Sequence, residues 1–105
     1  MMSRKITQES VSAFLNGRKF NKANMSVVVE SDGTKLRLHG NTIAIIDALG
    51  VMSISNAGWM SNTTKERLNG LPNVRINQKN WNWYLNGNEW DGNWTRVCTV
   101  QLNNK

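Results

Sequence analysis

A chain of 105 residues with a formal charge of +6 suits one domain with a thin core. Apolar residues other than Gly make up 39% of it, and with the eight Gly counted the share reaches only the low end of the roughly 45–50% of ordinary domains. A single Cys excludes an internal disulfide. The longest uncharged apolar stretch, near residues 43–46, falls far short of the ~20 residues of a membrane helix.

The elements read as follows. Thr7 is the expected N-cap of a short helix through Gln8–Gly17, with Glu9 in its first turn. Val11, Phe14 and Leu15 form its apolar stripe, and Gly17 suits the left-handed position past its end. Residues 18–24 read as a basic connector. Met25–Glu30 is a Val-rich strand, and Asp32-Gly33 a hairpin turn. The next strand alternates, with Leu36 and Leu38 on one face and Lys35, Arg37 and His39 on the other. Gly40-Asn41 is a second turn. Strands follow at Thr42–Ile46 and Val51–Ser55, joined by Asp47-Ala48-Leu49-Gly50.

A second helix is expected near Thr63, with Thr63 and Glu66 forming a capping box. Gly70 and Pro72 stop it. The last third returns to strand, with Val74 and Ile76 on one face and Arg75 and Asn77 on the other. Asn86-Gly87 is a strong hairpin signal that sets Trp83 opposite Trp90 and Leu85 opposite Asn88. Period-two reading puts Trp81 and Trp83 on one side. Residues 93–102 complete the meander, and residues 1–5 and 103–105 are expected to fray. The fold class is α+β: one domain over residues 1–105, an antiparallel β-meander of six to eight strands and two short helices.

Little in the chain points to catalysis. One His excludes a His-His metal pair, and there is no CxxC, HExxH or phosphate-binding GxxxxGK[ST] motif. Glu89 and Asp91 flank a turn. His39 and Cys98 would have to converge to act as base and nucleophile; the plainer readings are a surface histidine and a small core thiol. We therefore expect a non-enzymatic protein with no catalytic, cofactor or metal residues.

The tryptophans are more informative. Trp81, Trp83, Trp90 and Trp94 fall within one short meander. They either thicken a core short of Leu and Phe, or form a platform on which unpaired bases stack beside cations; a sugar or peptide groove is a third reading. Trp59, in the loop 56–62, either plugs the core or serves a binding loop. The basic balance fits acidic partners or nucleic acid, and also an ordinary solvated surface. Candidate partner-binding residues are Lys35, Arg37, His39, Trp59, Arg75, Lys79, Tyr84 and Arg96. The sixteen Asn are partly turn chemistry and partly uncharged donor–acceptor surface.

The segments RKITQESVSAFLNG, LRLHGNTIA, SNAGWMSNTTKERLNGL and WYLNGNEWDGNW together resemble a set of small accessory proteins of tailed, T4-like bacteriophages. The resemblance spans nearly the whole chain. It implies an accessory phage protein in the cytoplasm of an infected bacterium, away from membranes, which binds and inhibits or modulates a host bacterial protein, as in host takeover or anti-defence. It brings no catalytic residue. The alternative is a single-stranded nucleic-acid or RNA binder using a basic, aromatic sheet face.

Overall fold

The computed structural model describes residues 4–100. The first helix, α1 (Lys5–Leu15), is followed by β1 (Phe20–Lys22), β2 (Met25–Glu30), β3 (Gly33–Leu38), β4 (Asn41–Asp47) and β5 (Val51–Ile54). Then come α2 (Asn62–Leu68), β6 (Ile76–Lys79), β7 (Asn82–Leu85), β8 (Asn88–Trp90) and β9 (Thr95–Thr99). The strands form two antiparallel sheets, one ordered β1-β2-β3-β4-β5-β9 and one ordered β6-β7-β8. The fold is α+β as expected, with the strands divided between two sheets. The Cα radius of gyration is 12.9 Å, close to the ~13 Å of a compact domain of this size, in keeping with one core.

β9 does not extend the meander of β6-β7-β8. It crosses back to β5, setting Thr95 opposite Ile54 and Cys98 opposite Met52. β1 lies in what reads as a polar connector, where Phe20 pairs with Val27. The turns are displaced by one residue from their expected places. Ser31-Asp32 joins β2 to β3, because Gly33 already pairs with Glu30. His39-Gly40 joins β3 to β4, with φ of 52° and 80°, the left-handed pair that a type I′ hairpin requires.

One face of the large sheet carries Met25, Val27, Leu36, Leu38, Ala44, Ile46, Met52 and Ile54, all buried, and α1 packs against its β1-β2-β3 end. The alternation that buries Leu36 and Leu38 also turns Lys35 and Arg37 outward. On the small sheet Ile76, Leu85, Trp83 and Trp90 face inward and join the same core. The facing indoles of Trp83 and Trp90 are tilted with centroids 6.2 Å apart, within the favoured range for aromatic pairs. The ammonium of Lys65 on α2 stands 5.7 Å from the Trp83 ring and donates to Gln78 Oε1 at 2.8 Å, tying that helix to the small sheet.

The helix caps differ from the sequence reading. Arg4 occupies the N-cap of α1 without a side-chain cap bond, so Thr7 lies within the helix and is buried. Of the residues expected to fray, Arg4 and Lys5 therefore belong to this helix, while residues 1–3 and 103–105 lie outside those described. At its other end, Gly17 takes φ 64° and Arg18 N donates to Ala13 O, the Schellman closure that a glycine permits. Ser61, two residues before Thr63, caps α2: its hydroxyl accepts from Thr64 N at 3.2 Å. Glu66 does not close a capping box. It accepts from Thr7 Oγ1 (2.6 Å) and Arg4 N (3.1 Å), and it pairs with Arg67. The buried Arg67 guanidinium also donates to Thr7 Oγ1 and Asn24 Oδ1. Gly70 completes this helix junction, since a Cβ there would meet Thr7 Cγ2 at 2.5 Å. Burial pushes the Glu66 carboxyl up. The hydrogen bonds from Thr7, Arg4 and Arg67 outweigh this and hold it below its usual value.

Candidate functional site

The eight candidate residues fall into three groups. Lys35, Arg37 and Arg96 share the outer face of the large sheet. Val28, Lys35, Ile45, Ser53 and Arg96 form one row across it, and Ser26, Arg37 and Thr42 the next. No aromatic side chain stands in either row. Lys35 is paired with Glu30 at 2.8 Å, and that bond raises its pKa. Arg37 donates to Gly40 O at 2.6 Å, bracing the turn that carries His39.

Arg75, Lys79 and Tyr84 share the outer face of the small sheet. Asn77 stands opposite Tyr84, and Arg75 and Lys79 lie two residues to either side of it, diagonal to the tyrosine. Such diagonals span roughly 7–8 Å, within reach of long side chains. Glu89 flanks Tyr84 from β8.

His39 and Trp59 line a cavity of about 360 Å³, at the small end of the range for ligand sites. Leu38 and Ile43 give it an apolar floor. Its polar lining comes from Asn41 at the start of β4, Asn56, and the hydroxyls of Ser61, Thr63 and Thr64 at the head of α2. Local bonds fix part of this lining. Asn56 Oδ1 accepts from Gly58 N at 2.8 Å, and the Ser61 and Thr64 hydroxyls lie 3.0 Å apart. Trp59 N donates to Asn56 O across a turn whose central residues, Ala57 and Gly58, have φ of 54° and 84°. That turn projects Trp59 outward, 61% exposed, so its indole does not plug the core under α2.

Cys98 is half-buried and does not line this cavity. It stands level with Met52, Ile46 and Thr34, whereas His39 lies beyond the far end of β3. The two do not form a base–nucleophile pair. Among the described residues, no three His, Cys, Asp or Glu side chains gather where they could hold a metal ion.

The tryptophans divide sharply. Trp83 is 1% exposed and Trp90 is also buried, with its indole N–H donating to Thr95 Oγ1 and Asn93 O. Trp81 is not on the face of Trp83: it sits with Asn80 in the β6–β7 turn, φ 72°, and is 87% exposed. Trp94 and Met60 are also exposed. A second, shallower cavity is lined by Met60, Asn82, Trp83, Glu89, Trp90 and Asp91. Each exposed indole is a chain neighbour of a group at this groove: Trp59 of Met60, Trp81 of Asn82, and Trp94 of Asn93, whose carbonyl receives the Trp90 N–H. The loops that bear Trp59 and Trp94 are pinned together, Asn56 N and Ser55 Oγ both donating to Gly92 O.

The family model of the Kyanoviridae Gp96 protein matches residues 3–101. The chain belongs to that family, one of T4-like cyanophages. The resemblance to small T4-like phage proteins is thus correct, and this is a bacteriophage protein. No curated protein and no solved structure matches it. In this family member sequence reasoning missed Met60 and the neutral polar lining beneath Trp59, and it placed Trp81 and Trp94 in one cluster with Trp83 and Trp90, of which only the first two are exposed. Met60 sits in an irregular segment that carries no period to assign a face, and Trp94, read as part of the alternating run 93–102, lies just before β9. The Asn80-Trp81 turn lacks the Asn-Gly signature of its neighbour.

Proposed function

We propose that this phage protein is a non-enzymatic binding protein that inhibits or redirects a host bacterial protein in the host cytoplasm. The observation that carries the reading is the groove lined by Met60 and Trp90, with three exposed indoles, Trp59, Trp81 and Trp94, each one residue along the chain from a group at the groove. Exposed Trp and Met side chains held by a rigid frame are the usual anchors of protein interfaces, and they cost stability unless a partner covers them. Glu89 and Asp91 line the same groove. Carboxylates beside indoles fit a Lys or Arg of the partner, which would lie against an aromatic face. Affinity purification from infected cells tests this. The wild-type chain recovers a host protein that binds again when both are purified, and Trp81→Ala with Trp94→Ala loses it. Recovery of no host protein overturns the reading.

A second reading, as a single-stranded nucleic-acid binder, draws on Tyr84 with Arg75 and Lys79 on one exposed face. A stacked base beside two cations is the pattern such binders use. A fluorescent single-stranded oligonucleotide tests it: binding weakens steeply with salt and Tyr84→Ala reduces it, whereas no binding at low salt removes this reading.

A further inference from the structure

We propose that the cavity beneath Trp59 binds a neutral saccharide ring. No carboxylate, ammonium or guanidinium lines it, and His39 is its one titratable group. A phosphorylated or ionised ligand finds no counter-charge there, although the chain as a whole is strongly basic. What the lining offers is hydroxyl, amide and imidazole, the uncharged groups that both donate and accept. Sugar hydroxyls do the same, and a ligand carrying many of them matches a lining rich in such groups.

The polar groups come in two kinds. Asn56, Ser61 and Thr64 are fixed by bonds within the loop and helix cap. Among the described residues the Thr63 hydroxyl and the His39 ring have no hydrogen-bond partner, and Asn41 Nδ2 makes only a 3.5 Å contact with His39 O. These three are available to a ligand, within a frame that the others hold rigid. Trp59 supplies one exposed aromatic face above an apolar floor of Leu38 and Ile43. A pyranose lays its C–H face on one indole while its equatorial hydroxyls reach the rim. A nucleobase would stack on the Trp59 and His39 rings, but its edge carries fewer polar groups than this rim offers, and adenosine is therefore the competing ligand in the test.

His39 and Ala57 both hold left-handed φ within tight turns, which fixes the direction in which each turn presents its neighbouring ring. The Ala57-Gly58 turn directs Trp59 over the opening, and the His39-Gly40 turn sets the imidazole opposite.

The test is an NMR titration of the full chain with D-glucose, D-galactose, N-acetyl-D-glucosamine and their β-linked trimers, with adenosine as a separate arm. At least one saccharide shifts the Trp59 indole and the Asn41, Asn56 and Thr63 amides saturably. Trp59→Ala weakens that binding about tenfold. Trp59→Phe keeps part of it. Thr63→Val, which removes a hydroxyl and keeps its shape, weakens it about fivefold. Trp81→Ala leaves it unchanged, which separates this site from the protein-docking groove. The proposal is overturned if no saccharide moves these resonances at millimolar concentration. It is equally overturned if adenosine alone moves them, or if Trp59→Ala retains full affinity.

Discussion

The helix junction and the tryptophan-rich end invert the usual rule of what a protein buries. At the junction of α1 and α2, Arg67 is buried among Thr7, Glu66 and Asn24, each bonded to it. At the other region, Trp59, Trp81 and Trp94 stand in solvent without cover. The difference lies in satisfaction. A charged group is tolerated inside when most of its hydrogen bonds are made, as for Arg67, whose Nε alone lacks a partner among the described residues. A large ring left outside gains nothing from the fold alone. Stability therefore resides in the polar knot and the buried indoles, and the proposed partner contact in the exposed ones.

Exchanging the two kinds of tryptophan gives the largest contrast. Trp83→Ala lowers unfolding stability by about 4 kcal/mol in urea titrations, because it empties the contact with Trp90. Trp81→Ala changes stability by no more than about 0.5 kcal/mol and loses the host partner. Equal destabilisation by both would erase the distinction. Next, Arg67→Met costs about 3 kcal/mol, since Glu66 keeps a charge with no guanidinium beside it. The cost sits at the low end for broken buried pairs because Glu66 is partly exposed.

The same carboxyl gives a pH signature. Its folded pKa is depressed, so its contribution is complete above the unfolded value of about 4.3. It is lost as the pH falls through the lower folded value. Glu66→Gln flattens that part of the stability–pH curve, measured by thermal melts across the acid range. The smallest effect concerns the turn that presents Trp59. Ala57→Asn, which accepts a left-handed φ more readily, raises stability by about 0.5 kcal/mol. The turn still presents Trp59 in the same way, so saccharide affinity is unchanged.

Much of this was legible in the chain. Period-two alternation placed Leu36 and Leu38 inside and Lys35 and Arg37 outside, and Asn86-Gly87 fixed the facing of Trp83 and Trp90. Alternation tells which face a residue takes, not which strand lies beside it, so the return of β9 to β5 was invisible. The α2 cap was misread because the helix starts at Asn62, earlier than expected, so Thr63 lies inside it and the Ser61 hydroxyl is the one that reaches Thr64 N. Thr7 was misread as a cap for the same reason. Its hydroxyl instead meets Glu66, 59 positions away. Of the candidate residues, His39 and Trp59 share a cavity that neither signalled, since one sits in a hairpin turn and the other in an irregular loop.

The pairing of Ile54 with Thr95 closes everything between them into a single excursion from the large sheet. Residues 55–94, which hold α2, the small sheet and all the exposed tryptophans but none of β1 to β5, leave and re-enter the frame at adjacent points. Chains accept insertions where the two ends lie close together. The six-stranded sheet is thus a chassis on which this lobe is carried, anchored a second time by Arg67 reaching α1. On the proposed reading, changing the lobe's loops would change the partner while the register of the frame stays as it is.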